Sequence, residues 1–260
     1  RIQSVDLTWE EKKAYEEVVD LLFMHYLDFN GIPINTVLAA HSILPKITSS
    51  SVSSIEFLEN LIKNSKYHIS TVEIAQNILN RFKSITVDSK IEKLNELITE
   101  INQRDKGTKI LIYTKHPATL KYISETLKKQ KFNITEFKGG LTPDEKTKRI
   151  EEFKERTQIM ISTETGSEGL NLQFCSNIIN YDLPWNPMAV EQRIGRLDRI
   201  GQKKNIYVYN LAIKGTMEEH IVDLIINKMC CIGLIMGELP IILFNMGLDS
   251  SGKTGSSKFE

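Results

Sequence analysis

Hydrophobic positions in the second half of the chain alternate between short continuous runs and stripes at helical spacing. Short apolar runs bounded by turn signals are typical of buried strands, whereas stripes at i, i+3 and i+4 are typical of amphipathic helices. The runs predict strands at 109–113, 133–137, 158–161, 177–181 and 205–211. The stripes predict helices at 117–129, 143–155, 217–228 and after Pro187. Strand–helix alternation of this kind favours a parallel sheet covered on both faces.

The first third of the chain shows helical stripes and no strand alternation. It predicts helices at 8–29, 34–44, 55–63, 71–82 and 89–102, with a Ser-rich connector at 48–54 and a helix end near Pro45. The fold class predicted is α/β, a mainly parallel sheet flanked by helices and preceded by a helical insertion. We expect three parts: a helical region at 1–88, the sheet domain at 89–230, and a packing segment with a flexible tail at 231–260.

Composition limits the functions that this sheet can serve. The chain has 41% hydrophobic and 25% charged residues and a formal net charge of zero, so any nucleic-acid surface must be a local patch. Three cysteines are too few and too badly spaced for a disulfide framework or a zinc site, which favours a reducing compartment. No signal peptide is predicted, and the apolar stretch 232–248 is too interrupted to span a membrane. Because the chain starts at Arg1 without Met, we expect an excised fragment.

An arginine-rich segment follows the fourth predicted strand and reads EQRIGRLDRIGQ over 191–202. Arg193, Arg196 and Arg199 recur at spacing three, and arginine binds phosphate oxygens bidentately at any working pH. A structural alternative pairs these arginines with Glu191 and Asp198, because charged helix faces are usually only solvated.

A glycine-bearing loop, STETGSEGLNL over 162–172, leaves the carboxyl end of the third predicted strand. Parallel sheets place ligand sites on loops at this edge. Gly166 and Gly169 would let the backbone approach a phosphate closely. The alternative interpretation is a plain turn before a helix.

Taken together, GSEGLNLQF, DLPWNP and RIGRLDRIGQ resemble motifs of superfamily-two helicases and translocases, specifically the Snf family of DNA-translocating ATPases. The first and third strings most resemble the bacterial and archaeal branch that includes the RNA-polymerase-recycling ATPase. The resemblance runs from about Leu7 to Lys228. It implies the second RecA-like lobe of a two-lobed motor, in which ATP and Mg²⁺ lie between the lobes and are bound mainly by the first.

The resemblance also implies roles for residues near the nucleotide. Arg196 and Arg199 fall on the arginine-finger positions and would be catalytic, since fixed cations stabilise the charge that develops during phosphoryl transfer. The positions that would lie near the nucleotide are Gly169, Asn171, Gln192 and Arg193. Many relatives carry glycine where this chain has Glu168, so the role of that residue stays open. No metal ligands are predicted here.

Residues that would contact DNA by the same resemblance are Lys115, His116, Lys138, Gly139, Thr163 and Trp185. Several have plainer interpretations. Trp185 could be partly buried core, because aromatic residues serve both purposes. His116 precedes Pro117 and could simply cap a helix, and lysines are common on any loop.

The string GLDSSGKT at 247–254 matches the phosphate-loop pattern, but only a Gly/Ser-rich tail follows it, so chance is the favoured explanation. No other phosphate loop of this kind is present in the 260 residues. We therefore expect a fragment that does not hydrolyse ATP alone, with double-stranded DNA, the first RecA-like lobe and a nucleoprotein such as RNA polymerase as partners. The expected location is the cytoplasm, in association with the nucleoid. The alternatives are the lobe of a strand-separating helicase and a non-catalytic nucleic-acid-binding module.

Overall fold

The computed structural model describes residues 1–24, 36–64, 69–164, 171–184, 187–198, 201–202, 204–224 and 226. Its elements are, in order, β1 (Ile2–Val5), α1 (Trp9–Met24), α2 (Thr36–Ile47), α3 (Ser51–Lys63), α4 (Ile69–Ser84), α5 (Ser89–Arg104), β2 (Ile110–Thr114), α6 (Pro117–Lys129), β3 (Ile134–Phe137), α7 (Pro143–Glu155), β4 (Ile159–Thr163), β5 (Asn177–Asn180), α8 (Pro187–Ile194) and β6 (Tyr207–Ile213). Residues 217–224 are helical as well.

The six strands form one parallel sheet in the order β1-β6-β5-β2-β4-β3. At its centre Ile112 of β2 lies opposite Ile161 of β4 and Ile179 of β5. Every residue of β2, β4 and β5 is buried, because helices cover both faces of the sheet. The predicted α/β class with a RecA-like lobe is therefore confirmed.

Helix starts follow the signals in the sequence. Thr142 Oγ1 accepts a hydrogen bond from the Glu145 amide, and the Glu145 carboxylate accepts one from the Thr142 amide, which completes the capping box at the start of α7. The same reciprocal pair joins Thr8 and Glu11 at the start of α1.

Three predictions for the first third of the chain are wrong. Ile2–Val5 is a strand that pairs with β6, so the first 86 residues are not free of β-structure. The run was too short to show alternation, and its pairing partner lies about 200 residues away in the sequence. Pro45 lies inside α2 rather than at its end, and α3 begins at Ser51, four residues before the expected start. Ser50 caps α3, so part of the predicted connector is helix.

Separate apolar clusters of buried side chains support the helical region and the sheet domain. The helices α1–α4 enclose one cluster, which includes Leu21, Leu58 and Ile78. The largest cluster of the sheet domain joins α5 and α6 to one face of the sheet through residues such as Leu94 and Ile112. In the described residues, no helix is long and apolar enough to cross a membrane.

Candidate functional site

The carboxyl ends of β2, β3, β4, β5 and β6 lie at one edge of the sheet, because all the strands run parallel. This edge collects most of the residues that the sequence singled out. Of these, Lys115 and Lys138 directly follow a strand end, as do Glu164 and Lys214, which the sequence did not single out. The structure thus places Lys115, Lys138 and Glu164, the last described residue before the glycines of the loop, on one side of the sheet.

Arg193 lies on α8 and is turned into the protein, with only 3% of its surface exposed. One guanidinium nitrogen donates to Asn180 Oδ1 at 2.5 Å, and another donates to Glu164 Oε1 at 2.5 Å. Burial lowers the pKa of Arg193, while the Glu164 carboxylate opposes that effect. The guanidinium remains charged and also lies 4.6 Å from the ring centre of Tyr113. Arg193 therefore joins α8 to the ends of β2, β4 and β5.

Arg196 has the opposite environment, although it is only three residues further on. It lies in the turn after α8 and is half-buried. Its amide donates to the Arg193 carbonyl oxygen at 3.3 Å, so the position of its main chain depends on the buried arginine. Its guanidinium makes no hydrogen bond or ion pair with any residue that the structure describes.

The residues that follow the glycine-bearing loop are hydrogen-bonded to the arginine-rich turn. The Leu172 amide donates to the Arg196 carbonyl oxygen at 3.1 Å. Gln202 Nε2 donates to the carbonyl oxygens of Gln173 at 2.8 Å and Leu197 at 3.1 Å. The two segments that sequence analysis assigned to nucleotide binding therefore form one hydrogen-bonded unit. Asn171 and Gln192, also expected near the nucleotide, are both exposed.

The predicted DNA-binding residues divide into exposed and buried positions. Lys115 and Lys138 are exposed, and so is Gly139. The neighbouring Gly140 has a φ of +86°, a conformation that favours glycine. Thr163 is buried at the end of β4, with 5% of its surface exposed, so its side chain is not on the open surface.

His116 is buried at the N-cap position of α6, but its side chain makes no capping hydrogen bond. Burial lowers its pKa, while nearby Asp182 opposes that effect. The imidazole hydrogen-bonds the Pro45 backbone, and its Nε2 has no hydrogen-bond partner among the described atoms. The imidazole thus contacts the interior, and the DNA contact expected of His116 stays a prediction.

Three of the predicted site residues lie outside the described residues: Gly169, Trp185 and Arg199. Glu168 and the 247–254 string lie outside them as well. The described residues contain no group of acidic, histidine or cysteine side chains that could hold a metal ion. Cys175 is a buried free thiol, and burial raises its pKa to about 12.

Sequence reasoning missed the polar residues that hold the site together. Glu164, Asp182, Gln202 and Lys90 all contact segments distant in the chain. Asp182 and Gln202 lie inside or beside recognised motifs. The sequence pattern does not distinguish residues that hold the site in place from residues that would contact a ligand. Lys90 gave no signal, because a lysine in the first turn of an amphipathic helix is normally solvated.

The sheet domain is similar in sequence to known proteins. Residues 89–201 match the family described as the helicase conserved C-terminal domain. The chain is 40% identical over 166 residues to an uncharacterized ATP-dependent helicase, YqhH of Bacillus subtilis, which covers 64% of this chain and 29% of that protein. It is 35% identical over 130 residues to the RNA polymerase-associated protein RapA of Vibrio parahaemolyticus, covering 48% of this chain and 13% of RapA.

The fold also matches a solved structure. The C-terminal domain of the SWI2/SNF2 ATPase of Sulfolobus solfataricus superposes with a TM-score of 0.56 at 21% identity, covering 86% of this chain and 83% of that one. That likeness supports the fold alone. The chain spans less than a third of the length of the two curated relatives, so the activity of a whole protein does not follow from these matches.

Proposed function

We propose that this chain is the C-terminal RecA-like lobe of a Snf-type ATPase of helicase superfamily two, the second half of an ATP-driven translocase on double-stranded DNA. In this proposal a first RecA-like lobe binds most of the nucleotide, and the edge described above faces both that lobe and the DNA. The observation that supports the proposal is the contrast between Arg193, which is buried and ion-paired, and Arg196, which is half-buried and whose guanidinium pairs with none of the residues that the structure describes.

The two arginines have different tasks in this proposal. Arg193 fixes the end of α8 to the ends of three strands, which holds the following turn in place. Arg196 then extends from a preorganised main chain and stabilises the transferred phosphoryl group, as does Arg199. Bound ATP with Mg²⁺ supplies the phosphoryl group, and we propose that the first lobe holds the metal. Gly169, Asn171 and Gln192 complete the wall near the nucleotide.

DNA binding in this proposal uses the exposed lysines of the same edge. Lys115 and Lys138 follow β2 and β3, with β4 between these two strands in the sheet. Gly139 lets the main chain approach a phosphate, and we propose that Trp185 contacts the same duplex. Thr163 supports the end of β4 from inside. These lysines form a local patch, which is how a chain of zero net charge can bind DNA.

The partners follow as proposals from this role. One relative is named as associated with RNA polymerase, and we propose a nucleoprotein target of that kind for the whole protein. We place it in the cytoplasm, in association with the nucleoid.

The decisive experiment measures ATP turnover when a first lobe is supplied together with this chain. We expect the chain alone to be inactive and the combination to hydrolyse ATP in response to duplex DNA. Arg196→Ala should lower turnover about a thousandfold, as expected for a lost arginine finger. Arg149→Ala is the matched control, since Arg149 is an exposed arginine paired with Glu152 on α7, and it should leave turnover unchanged.

Normal turnover by Arg196→Ala would remove that arginine from the chemistry. DNA-stimulated turnover by the chain alone would contradict the proposed division between lobes, and Lys253→Ala would then show whether the tail string binds the nucleotide. A strand-separation assay distinguishes the helicase alternative: a translocase displaces a third strand from duplex DNA without opening the duplex. Absence of turnover with any first lobe would favour the non-catalytic binding module.

A further inference from the structure

Three hydrogen bonds converge on the Asp182 side chain at the site edge, and sequence analysis assigned this residue no task. Its side chain is buried, with 4% of the residue exposed. Oxygen Oδ2 accepts from Thr114 Oγ1 at 2.6 Å, from the Lys115 amide at 2.7 Å and from Ser49 Oγ at 3.0 Å. One carboxylate oxygen therefore joins β5, β2 and the segment between α2 and α3.

The charge of Asp182 is balanced by a buried lysine. Lys90 Nζ lies 3.5 Å from Asp182 Oδ1, donates to Glu218 Oε1 at 2.7 Å and donates to the Thr48 carbonyl oxygen at 2.9 Å. Burial alone would raise the pKa of Asp182, but Lys90 and His116, with the hydrogen bonds at Oδ2, hold it below its ordinary value. Asp182 is therefore ionised at neutral pH.

The position of this carboxylate is hard to explain by electrostatics at the DNA surface. A negative charge beside an exposed lysine weakens the attraction of that lysine for a phosphate. If Asp182 affected DNA binding only through its charge, removing the charge would tighten binding. If it acts by holding the Lys115 main chain, removing the charge would weaken binding. The two explanations therefore predict opposite changes in DNA affinity when the charge of Asp182 is removed.

We propose that Asp182 is a positioning residue for nucleic-acid binding, which fixes Lys115 at the sheet edge by accepting its amide hydrogen and by joining that edge to the helical region through Ser49. This inference rests on the proposed function, because it assumes that Lys115 contacts a DNA phosphate. In this inference Asp182 does not contact DNA itself and acts through Lys115, which lies next to it in space.

The test uses Asp182→Asn in the whole 260-residue chain, with a fluorescent duplex titrated at several salt concentrations. We expect about tenfold weaker binding, and a salt slope about 0.9 smaller, as for Lys115→Ala, because one phosphate contact is lost. The double variant should bind no more weakly than Asp182→Asn alone. Asp144→Asn is the control: it makes the same change in net charge at an exposed position on α7 and should not weaken binding.

Three binding results would overturn the proposal: equal or tighter binding by Asp182→Asn, independent addition of the two effects in the double variant, or no loss on Lys115→Ala. Melting temperatures establish that each variant is folded.

A second measurement separates this proposal from the proposed function. Hydrogen exchange of the Lys115 amide should become at least about tenfold faster in Asp182→Asn and Asp182→Ala, with little change for amides in the centre of β2. That result would support the main-chain anchor even if the wild-type chain bound no DNA, in which case the proposed function alone would fall. Unchanged exchange at Lys115 would overturn the positioning role whatever the DNA result.

Discussion

The helical region and the sheet domain each have an apolar interior in the described residues, whereas the junction between these two parts is polar and charged. The helical region, α1–α4, encloses leucine, isoleucine and alanine side chains, and the sheet encloses a similar set. Where the two meet, Lys90, Asp182 and Glu218 are all buried. Apolar contacts stabilise each part without demanding one exact arrangement, but hydrogen-bonded charges tolerate few arrangements. We infer that the junction sets the orientation of the helical region on the site.

Residues 48–51, which are the segment between α2 and α3 and the first residue of α3, contribute many polar contacts to this junction. Each hydrogen-bonds a residue of the sheet domain or the N-cap of its first helix, α5, and Ser49 also contacts Thr119. The pairs are the Thr48 carbonyl oxygen with Lys90, Ser49 with Asp182, Ser50 with Thr119, and Ser51 with Asp88. A segment that the sequence indicated only as a Ser-rich connector is therefore a polar contact between the two parts.

The largest effect should come from removing the buried cation. Lys90→Met leaves Asp182 and Glu218 facing each other without a positive charge. We expect a loss of about 3–5 kcal/mol in the free energy of unfolding, the usual cost of breaking a buried ion pair. The loss should shrink as the pH falls, because the folded variant then binds more protons than the unfolded chain. Urea unfolding at several pH values measures both effects.

Lys128→Met is the control for that experiment. Lys128 forms an exposed pair with Glu136 at 2.8 Å on the sheet domain, and its loss should change stability by less than about 1 kcal/mol. Equal losses of unfolding free energy in the two variants would show that the buried charges of the junction matter no more for stability than an ion pair on the surface.

Most of the sheet domain could be predicted from the sequence, because its signals are local. Buried parallel strands are continuous apolar runs, and caps such as Thr142 with Glu145 mark helix starts within four residues. The strand Ile2–Val5 could not be found in the same way, since β6, with which it pairs, is distant in the sequence. The sequence predicted a helix end near Pro45. In the structure Pro45 lies in the last turn of α2, and the helix continues for only two residues after it.

The site was predictable as an arrangement of motifs but not as a set of contacts. Spacing placed Arg193 and Arg196 in one motif, yet spacing alone does not tell which guanidinium points inward. That difference depends on Glu164 and Asn180, which come from two other strands. The same limit applies to His116, whose burial depends on the α2 segment at Pro45.

A pH dependence of intermediate size should come from the histidine at the junction. Burial lowers the pKa of His116 from its ordinary value of 6.5; Lys115 and Lys46 lower it further, while Asp182 and the Pro45 backbone oppose the shift. The unfolded chain therefore binds this proton more readily, so stability is complete above about pH 6.5 and falls as the pH drops below it. The slope for one proton cannot exceed about 1.4 kcal/mol per pH unit.

His116→Gln provides the comparison, since glutamine can still donate to the Pro45 carbonyl but does not titrate. Unfolding midpoints of both proteins between pH 5 and 8 should converge or cross as the pH falls, to the disadvantage of the wild type. A constant difference across that range would show that His116 titrates equally in the folded and unfolded chains.

The smallest effect should come from two helix caps, one in the junction and one outside it. Ser50 Oγ accepts from the Ser53 amide at 3.1 Å and also lies 2.8 Å from Thr119 Oγ1, whereas Thr142 only caps its own helix. Each substitution by alanine should cost about 1 kcal/mol for the lost cap. Ser50→Ala should cost about 0.5–1.5 kcal/mol more, the net contribution of one further hydrogen bond. Chemical unfolding of both variants measures the difference, and equal costs would mean that this contact adds nothing to the junction.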